Sequence, residues 1–204
     1  MTPPKNTSGK DVDIGKDVID RHRHLCSIDS ASNHTVSIHD TWNLEEGTII
    51  VTKVPGKFLY SVDDLPKHFL SLAKQIVEGA IFMHKNGVVH MDLSYFNVYI
   101  NSKCQLTITN FDSSVSIQSN DDEGEPPKEW ALRAGVDPQT KVKLINVDTW
   151  WCGEFLETLC KYVRVIEGHD KDKVDRLFEI SGRLLDNKGS LAYALDSIDQ
   201  INRA

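Results

Sequence analysis

The chain has 204 residues, 40% of them hydrophobic and 26% charged, which is enough for one domain with a sizeable core. Its net charge of −7 argues against nonspecific nucleic-acid binding, which needs a basic footprint. Four scattered cysteines without C-x-x-C spacing, a polar N-terminus and no apolar run of membrane length argue against a zinc or redox motif, a signal peptide and a membrane span. An intracellular protein, cytoplasmic or nuclear, is expected.

Residues 1–10 are rich in Pro, Ser, Thr and Lys and are expected to be disordered. Residues 11–25 read as a short polar helix. Two β-branched runs, 35–42 and 48–54, flank Glu45-Glu46-Gly47 and predict a hairpin. Pro55-Gly56-Lys57 ends its second strand. Ser61 to Asp64 resembles a capping box, and a helix follows over residues 65–85. Its apolar positions Phe69, Leu72, Ala73, Ile76, Ala80 and Met83 recur at three- and four-residue spacing. Asn86-Gly87 supplies a left-handed stop. Val88-Val89 is a short strand, and residues 98–100 and 106–108 read as a second hairpin. The acidic, Pro-containing stretch 118–128 is expected to be a mobile surface loop. Residues 148–163, 172–185 and 191–201 predict three further helices.

The chemistry-bearing stretch is His90-Met91-Asp92-Leu93, then Asn97, then Asn110-Phe111-Asp112. The spacing His-x-Asp-Leu-x-x-x-Asn resembles the catalytic loop of protein kinases, and Asn110-Phe111-Asp112 stands where that family carries Asp-Phe-Gly. Downstream, Asp148-Thr149-Trp150-Trp151-Cys152-Gly153 resembles the Asp-x-Trp-x-x-Gly start of the family's central buried helix, whose Asp accepts hydrogen bonds from the catalytic-loop backbone. Upstream, residues 33–42 resemble the fourth strand and 49–54 the fifth. The resemblance covers roughly residues 34–201. It implies an α+β fold with a mainly helical C-lobe over 55–204 and a reduced N-lobe remnant, a helix plus two strands, over 11–54.

The resemblance also assigns roles. Asp92 matches the catalytic base and Asn97 the metal-binding amide. Met91 replaces an Arg that pairs with a loop phosphate, so switching by loop phosphorylation is not expected. Ser94 stands where a Lys steadies the transferring phosphate. Asn110 replaces the magnesium-binding Asp with a neutral amide, and Asp112 is a weak substitute for it. The 34 residues before Thr35 hold no G-x-G-x-x-G and no apolar strand ending in Lys, so the first three small-lobe strands are expected to be absent. His90 and Phe111 match members of the hydrophobic spine between lobes. Their simplest role is core packing, as it is for Trp150 and Trp151. Glu129 echoes the Glu that ends an activation segment, with Arg183 as a candidate partner. His22 and His24 lie close together without a ligand cluster.

The expectation is a catalytically impaired kinase-like domain, a pseudokinase, that binds a protein partner such as a kinase or a kinase substrate. No cofactor and no metal are expected, with Asn97 and Asn110 vestigial, and neither nucleic acid nor membrane as a partner. The alternative is an active or residually active Ser/Thr kinase using ATP and magnesium. A lesser alternative is a small-molecule phosphotransferase of the aminoglycoside type, suggested by Phe111-Asp112.

Overall fold

A computed structural model describes residues 14–44, 47–52, 56–62 and 65–203. The elements run α1 (Ile14–Cys26), β1 (Ile38–Leu44), β2 (Gly47–Thr52), β3 (Lys57–Phe58), α2 (Leu65–Lys85), β4 (Val88–Val89), β5 (Val98–Ile100) and β6 (Leu106–Ile108). They continue with β7 (Val115–Ser116), β8 (Glu123–Gly124), α3 (Lys128–Ala134), β9 (Val142–Lys143), α4 (Leu144–Arg164), α5 (Lys171–Leu185) and α6 (Leu191–Arg203). The fold is α+β and mainly helical. Its sheets are small: β1-β2, β3-β5-β6, β4-β7 and β8-β9.

The core forms where the two longest apolar stripes meet. α2 buries Phe69, Leu72, Ala73, Ile76, Val77, Ala80 and Met83 on one face. α4 carries apolar residues on nearly every side and is buried from Val147 to Val163 over most of its length. It lies between α2 and α5, and α6 closes over α2 and α5. Each large aliphatic or aromatic side chain sealed here contributes roughly 1.5–3 kcal/mol. Gly153 lets α4 and α5 approach, since a Cβ there would sit 2.9 Å from Leu184 Cβ. Gly87 ends α2 at φ +74, a left-handed stop that glycine adopts without steric cost.

Several expectations are corrected at the element edges. β1 begins at Ile38, not at Thr35. Thr35 instead forms a parallel bridge to Ile108, and Val36 N–H donates to Ile108 O at 2.8 Å. The segment before the hairpin is thus stitched to β6. After β2 stops at Thr52, Lys57 opens β3 against Ile100. Gly56 passes so close to Ile100 O that any Cβ would overlap it. The stretch 118–128 is pinned: Glu123 and Gly124 pair with Lys143 and Val142, and Leu144 N–H donates to Asp122 O at 3.0 Å. Two-residue strands are too short to leave a periodic signature. α4 starts at Leu144, one turn before Asp148. Residues 1–13, 45–46, 53–55 and the two aspartates of the capping box, 63–64, lie outside the described residues.

Candidate functional site

The loop between β4 and β5 is held from below by one carboxylate. Asp148, in α4, is fully buried. Its Oδ2 accepts from His90 N–H at 2.8 Å, its Oδ1 from Met91 N–H at 2.8 Å, and its Oδ2 also meets His84 Nε2 at 2.9 Å. A buried carboxylate is tolerable only when its lone pairs are filled this way. Trp151 Nε1–H donates to Met91 O at 3.1 Å, so both backbone groups of Met91 are fixed. Met91 takes φ +71, a left-handed conformation that a long side chain adopts only when its surroundings impose it. Its side chain is buried, as expected of a residue with no phosphate to bind.

On that platform Asp92 is half-buried. Its Oδ2 accepts from Asn97 Nδ2 at 2.8 Å, and its Oδ1 meets Ser94 N–H at 3.4 Å. Asn97 Nδ2 also reaches Asp92 O at 3.0 Å and Ser94 Oγ at 3.4 Å. Asn110, at φ +61, donates through Nδ2 to Asn97 Oδ1 at 3.1 Å. The structure therefore gathers Asp92, Ser94, Asn97 and Asn110 into one chain of hydrogen bonds. Asp112 is exposed and takes no part in it. Among the described residues no group of three or more His, Cys, Asp or Glu side chains is gathered as a metal site.

A column of rings connects this site to α1. His22 stacks on Phe111 with centroids 4.4 Å apart, and Phe111 meets the edge of His90 at 4.8 Å. His22 Nε2 contacts Val36 O at 2.6 Å, and His90 Nε2 contacts Thr109 O at 2.9 Å. Burial holds both imidazoles below their ordinary pKa. The carbonyl bonds of both rings and the Asp148 carboxylate beside His90 oppose that shift, while for His22 the neighbouring His90 adds to it. Sequence reading gave His22 no role. Its distance along the chain from Phe111 leaves no local signal, although a His on the apolar side of a polar helix (Val18, Ile19, His22, Leu25) is a usable hint. Arg21 Nε–H donates to Ser114 Oγ at 3.2 Å, a second tie from α1 to the segment after Phe111.

Glu129 is exposed and makes no ion pair among the described residues, while Arg183 lies over the Tyr193 ring. The Glu129–Arg183 pairing is thus replaced. α3 is fastened by Arg133, which pairs with Glu154 of α4 and lies over Trp150 and Trp151. Cys152 and Cys160 are buried. Burial pushes the Cys152 thiol well up and that of Cys160 up to about 12, which makes both unreactive.

A buried helix that grips a His-x-Asp loop through its first Asp, with an Asn following and an aromatic triplet across from it, defines a protein-kinase-like domain. Comparison with known families agrees. The RIO domain family model matches residues 22–124, just over half of the chain, and the chain belongs to that family. Among curated proteins it is 25% identical over 160 residues to NUAK family SNF1-like kinase 1 of Mus musculus, covering 70% of this chain and 23% of that protein. It is 30% identical over 120 residues to mitogen-activated protein kinase MKC1 of Candida albicans, covering 56% and 24%. It is 23% identical over 160 residues to the phosphorylase b kinase gamma catalytic chain, liver/testis isoform, of Mus musculus, covering 71% and 38%. The chain thus spans about a quarter to two fifths of the length of these relatives. No helix among the described residues is long and apolar enough to cross a membrane.

Proposed function

We propose that this kinase-like domain is impaired in metal-assisted phosphoryl transfer and serves as a protein-binding, regulatory module. The observation that carries the reading is the bond from Asn110 Nδ2 to Asn97 Oδ1 at 3.1 Å. The two side chains at the positions where kinases seat magnesium are neutral and face each other. Magnesium favours anionic oxygens at short, near-octahedral distances. To bind a cation here, Asn97 Oδ1 has to give up Asn110, and only Asp92 brings a charge. A missing unit charge at about 4 Å costs roughly 4 kcal/mol at an effective dielectric of about 20. Half of that already weakens metal–nucleotide binding more than tenfold. Asp92 and the loop around it then persist because they complete the hydrogen bonding of the loop.

The partner is a protein, with neither nucleic acid nor membrane involved, given the net charge of −7. The hairpin offers the contact: Trp42 and Ile49 are opposite one another in register and are 55% and 44% exposed. The test is thermal unfolding with ATP, with and without magnesium. The expected result is no magnesium-dependent rise in Tm, and a rise of several degrees overturns the impairment.

A second reading, a residually active Ser/Thr kinase using ATP and magnesium, is favoured by one observation. Asp92 is oriented by Asn97 and Ser94 on a fully anchored loop, as a catalytic base requires. It predicts phosphate transfer that Asp92→Asn abolishes.

A further inference from the structure

We propose that the outer face of the β1–β2 hairpin recognises an arginine side chain of a protein partner, with its guanidinium laid on the Trp42 ring and bound to Asp40. This rests on the protein-binding reading above and names the chemistry of the partner.

Strand geometry sets the needed groups side by side. Residues two apart on a strand share a face, so Asp40 and Trp42 point the same way. Across the ladder they stand opposite Val51 and Ile49. Thr41, between them, faces the other way, and its Oγ1 accepts from Arg23 Nη2 of α1 at 2.8 Å. The inner face is thus engaged by the protein itself, and the outer face carries the exposed Trp42 and Ile49.

The outer pair is ordered in advance. Trp42 Nε1–H donates to Asp40 Oδ2 at 2.8 Å, and Thr41 N–H donates to Asp40 Oδ1 at 2.8 Å. These bonds fix the carboxylate at the edge of the indole and hold the ring in one orientation. A group fixed before binding loses less entropy when a partner arrives. Each carboxylate oxygen keeps a further lone pair, so Asp40 can still accept from a cation. It is exposed and makes no ion pair among the described residues.

A ring face with an anion at its edge suits a flat cation. A guanidinium stacks on indole and donates to a carboxylate at the same time, whereas a Lys ammonium is a compact point charge. Ile49, the cross-strand neighbour of Trp42, offers an apolar rest for the aliphatic stem. Charge selects the same partner. From Ile38 to Thr52 the sequence carries Asp40, Glu45 and Glu46 and no Lys or Arg. Such a stretch attracts a basic protein segment and repels phosphate groups. Trp and Arg are also the residues on which binding energy concentrates at interfaces.

The probe is the capped peptide Gly-Arg-Val-Arg-Gly, compared with its lysine counterpart and with one carrying citrulline, the neutral isostere, at both arginines. Each is titrated into the full chain in low-salt buffer and followed by NMR at the Trp42 indole N–H and the amides of Thr41 and Ile49. The expected result is saturable binding of the arginine peptide with a Kd below about 5 mM. The lysine peptide binds severalfold more weakly and the citrulline peptide at least about tenfold more weakly. Asp40→Asn keeps an acceptor for the indole N–H and drops the charge, and it weakens the arginine peptide about fivefold or more. Trp42→Leu does the same by removing the ring. Both positions are exposed, so both variants fold. Asp196→Asn, which removes an exposed charge from α6, leaves binding unchanged. Equal binding of the arginine and citrulline peptides, binding indifferent to Asp40→Asn or to Trp42→Leu, an equal loss with Asp196→Asn, or no saturation each overturns the proposal. Magnesium plays no part in this titration. A magnesium-dependent rise in Tm with ATP therefore overturns the impaired reading and leaves this site standing, and a failed titration does the reverse.

Discussion

The two ends of the catalytic loop obey different rules. At its base, Asp148 is buried and each of its oxygens is met by a donor from the loop, with His84 adding a contact. At its tip, Asp92, Asn97 and Asn110 bond one another beside open solvent, and Asn110 itself is exposed. The base is constrained by folding, because removing any member leaves a charge or an N–H stranded in a dry place. The tip is held by its own short chain of hydrogen bonds, which ends at the exposed Asn110. A kinase-like domain can therefore keep the grip on its loop while the tip changes, and on the proposed reading Asn110 puts an amide where kinases carry a charged metal ligand.

The comparison breaks first at its base. Asp148→Ala strands His90 N–H, Met91 N–H and His84, and is expected to cost about 3–5 kcal/mol in urea unfolding. A loss below about 1 kcal/mol would show that the grip is dispensable. The tip comes next. Asn110→Asp restores one anionic oxygen and is expected to raise magnesium-dependent nucleotide affinity at least about tenfold. The same substitution should alter stability little, since position 110 is exposed. Calorimetry showing no metal-dependent gain would count against the proposed impairment at this residue.

The ring column that ties this loop to α1 is sharpened by pH. His22 and His90 have folded pKa values held below the ordinary 6.5. Below 6.5 the unfolded chain binds protons that the folded chain refuses, so stability is complete above that pH. It falls as pH drops from 6.5 toward the lowered folded values. The slope is at most about 1.4 kcal/mol per pH unit for each ring. Unfolding midpoints at pH 7.5 and 5.5 measure it, and His22→Phe should flatten the slope while keeping the stack on Phe111. An unchanged slope in that variant would remove His22 from the account. The smallest effect is at the hairpin. Ile49→Lys is expected to change stability by about 0.5 kcal/mol or less, because the side chain is largely exposed. Any loss of partner capture in this variant then reports contact and not unfolding.

Much of the helical frame was legible in the sequence. The stripe from Phe69 to Met83 and the stop at Asn86-Gly87 set α2 to within a residue at each end, and the periodicity of α5 and α6 did nearly as well. The His-x-Asp loop and the Asp148 motif were visible as patterns. That they meet through 2.8 Å bonds from His90 and Met91 came from the fold. The pairing of β8 with β9 and the tie of Val36 to β6 were illegible, because two or three residues carry no period. At the candidate site the residue identities were readable. The bond of Asn110 to Asn97 was not, because an Asn can donate or accept and its partner is chosen by the backbone turn at φ +61.

By itself the sequence determined the order of the main helices and the residue types of the His-x-Asp loop and of the Asn110-Phe111-Asp112 triplet. These depend on neighbours a few residues apart, where propensity and spacing act. Only the tertiary structure decided that His22 caps the ring column and that Arg133 and not Glu129 fastens α3. Those outcomes depend on which distant groups come to share a dry volume, since burial makes each polar atom find a partner only once the chain has closed.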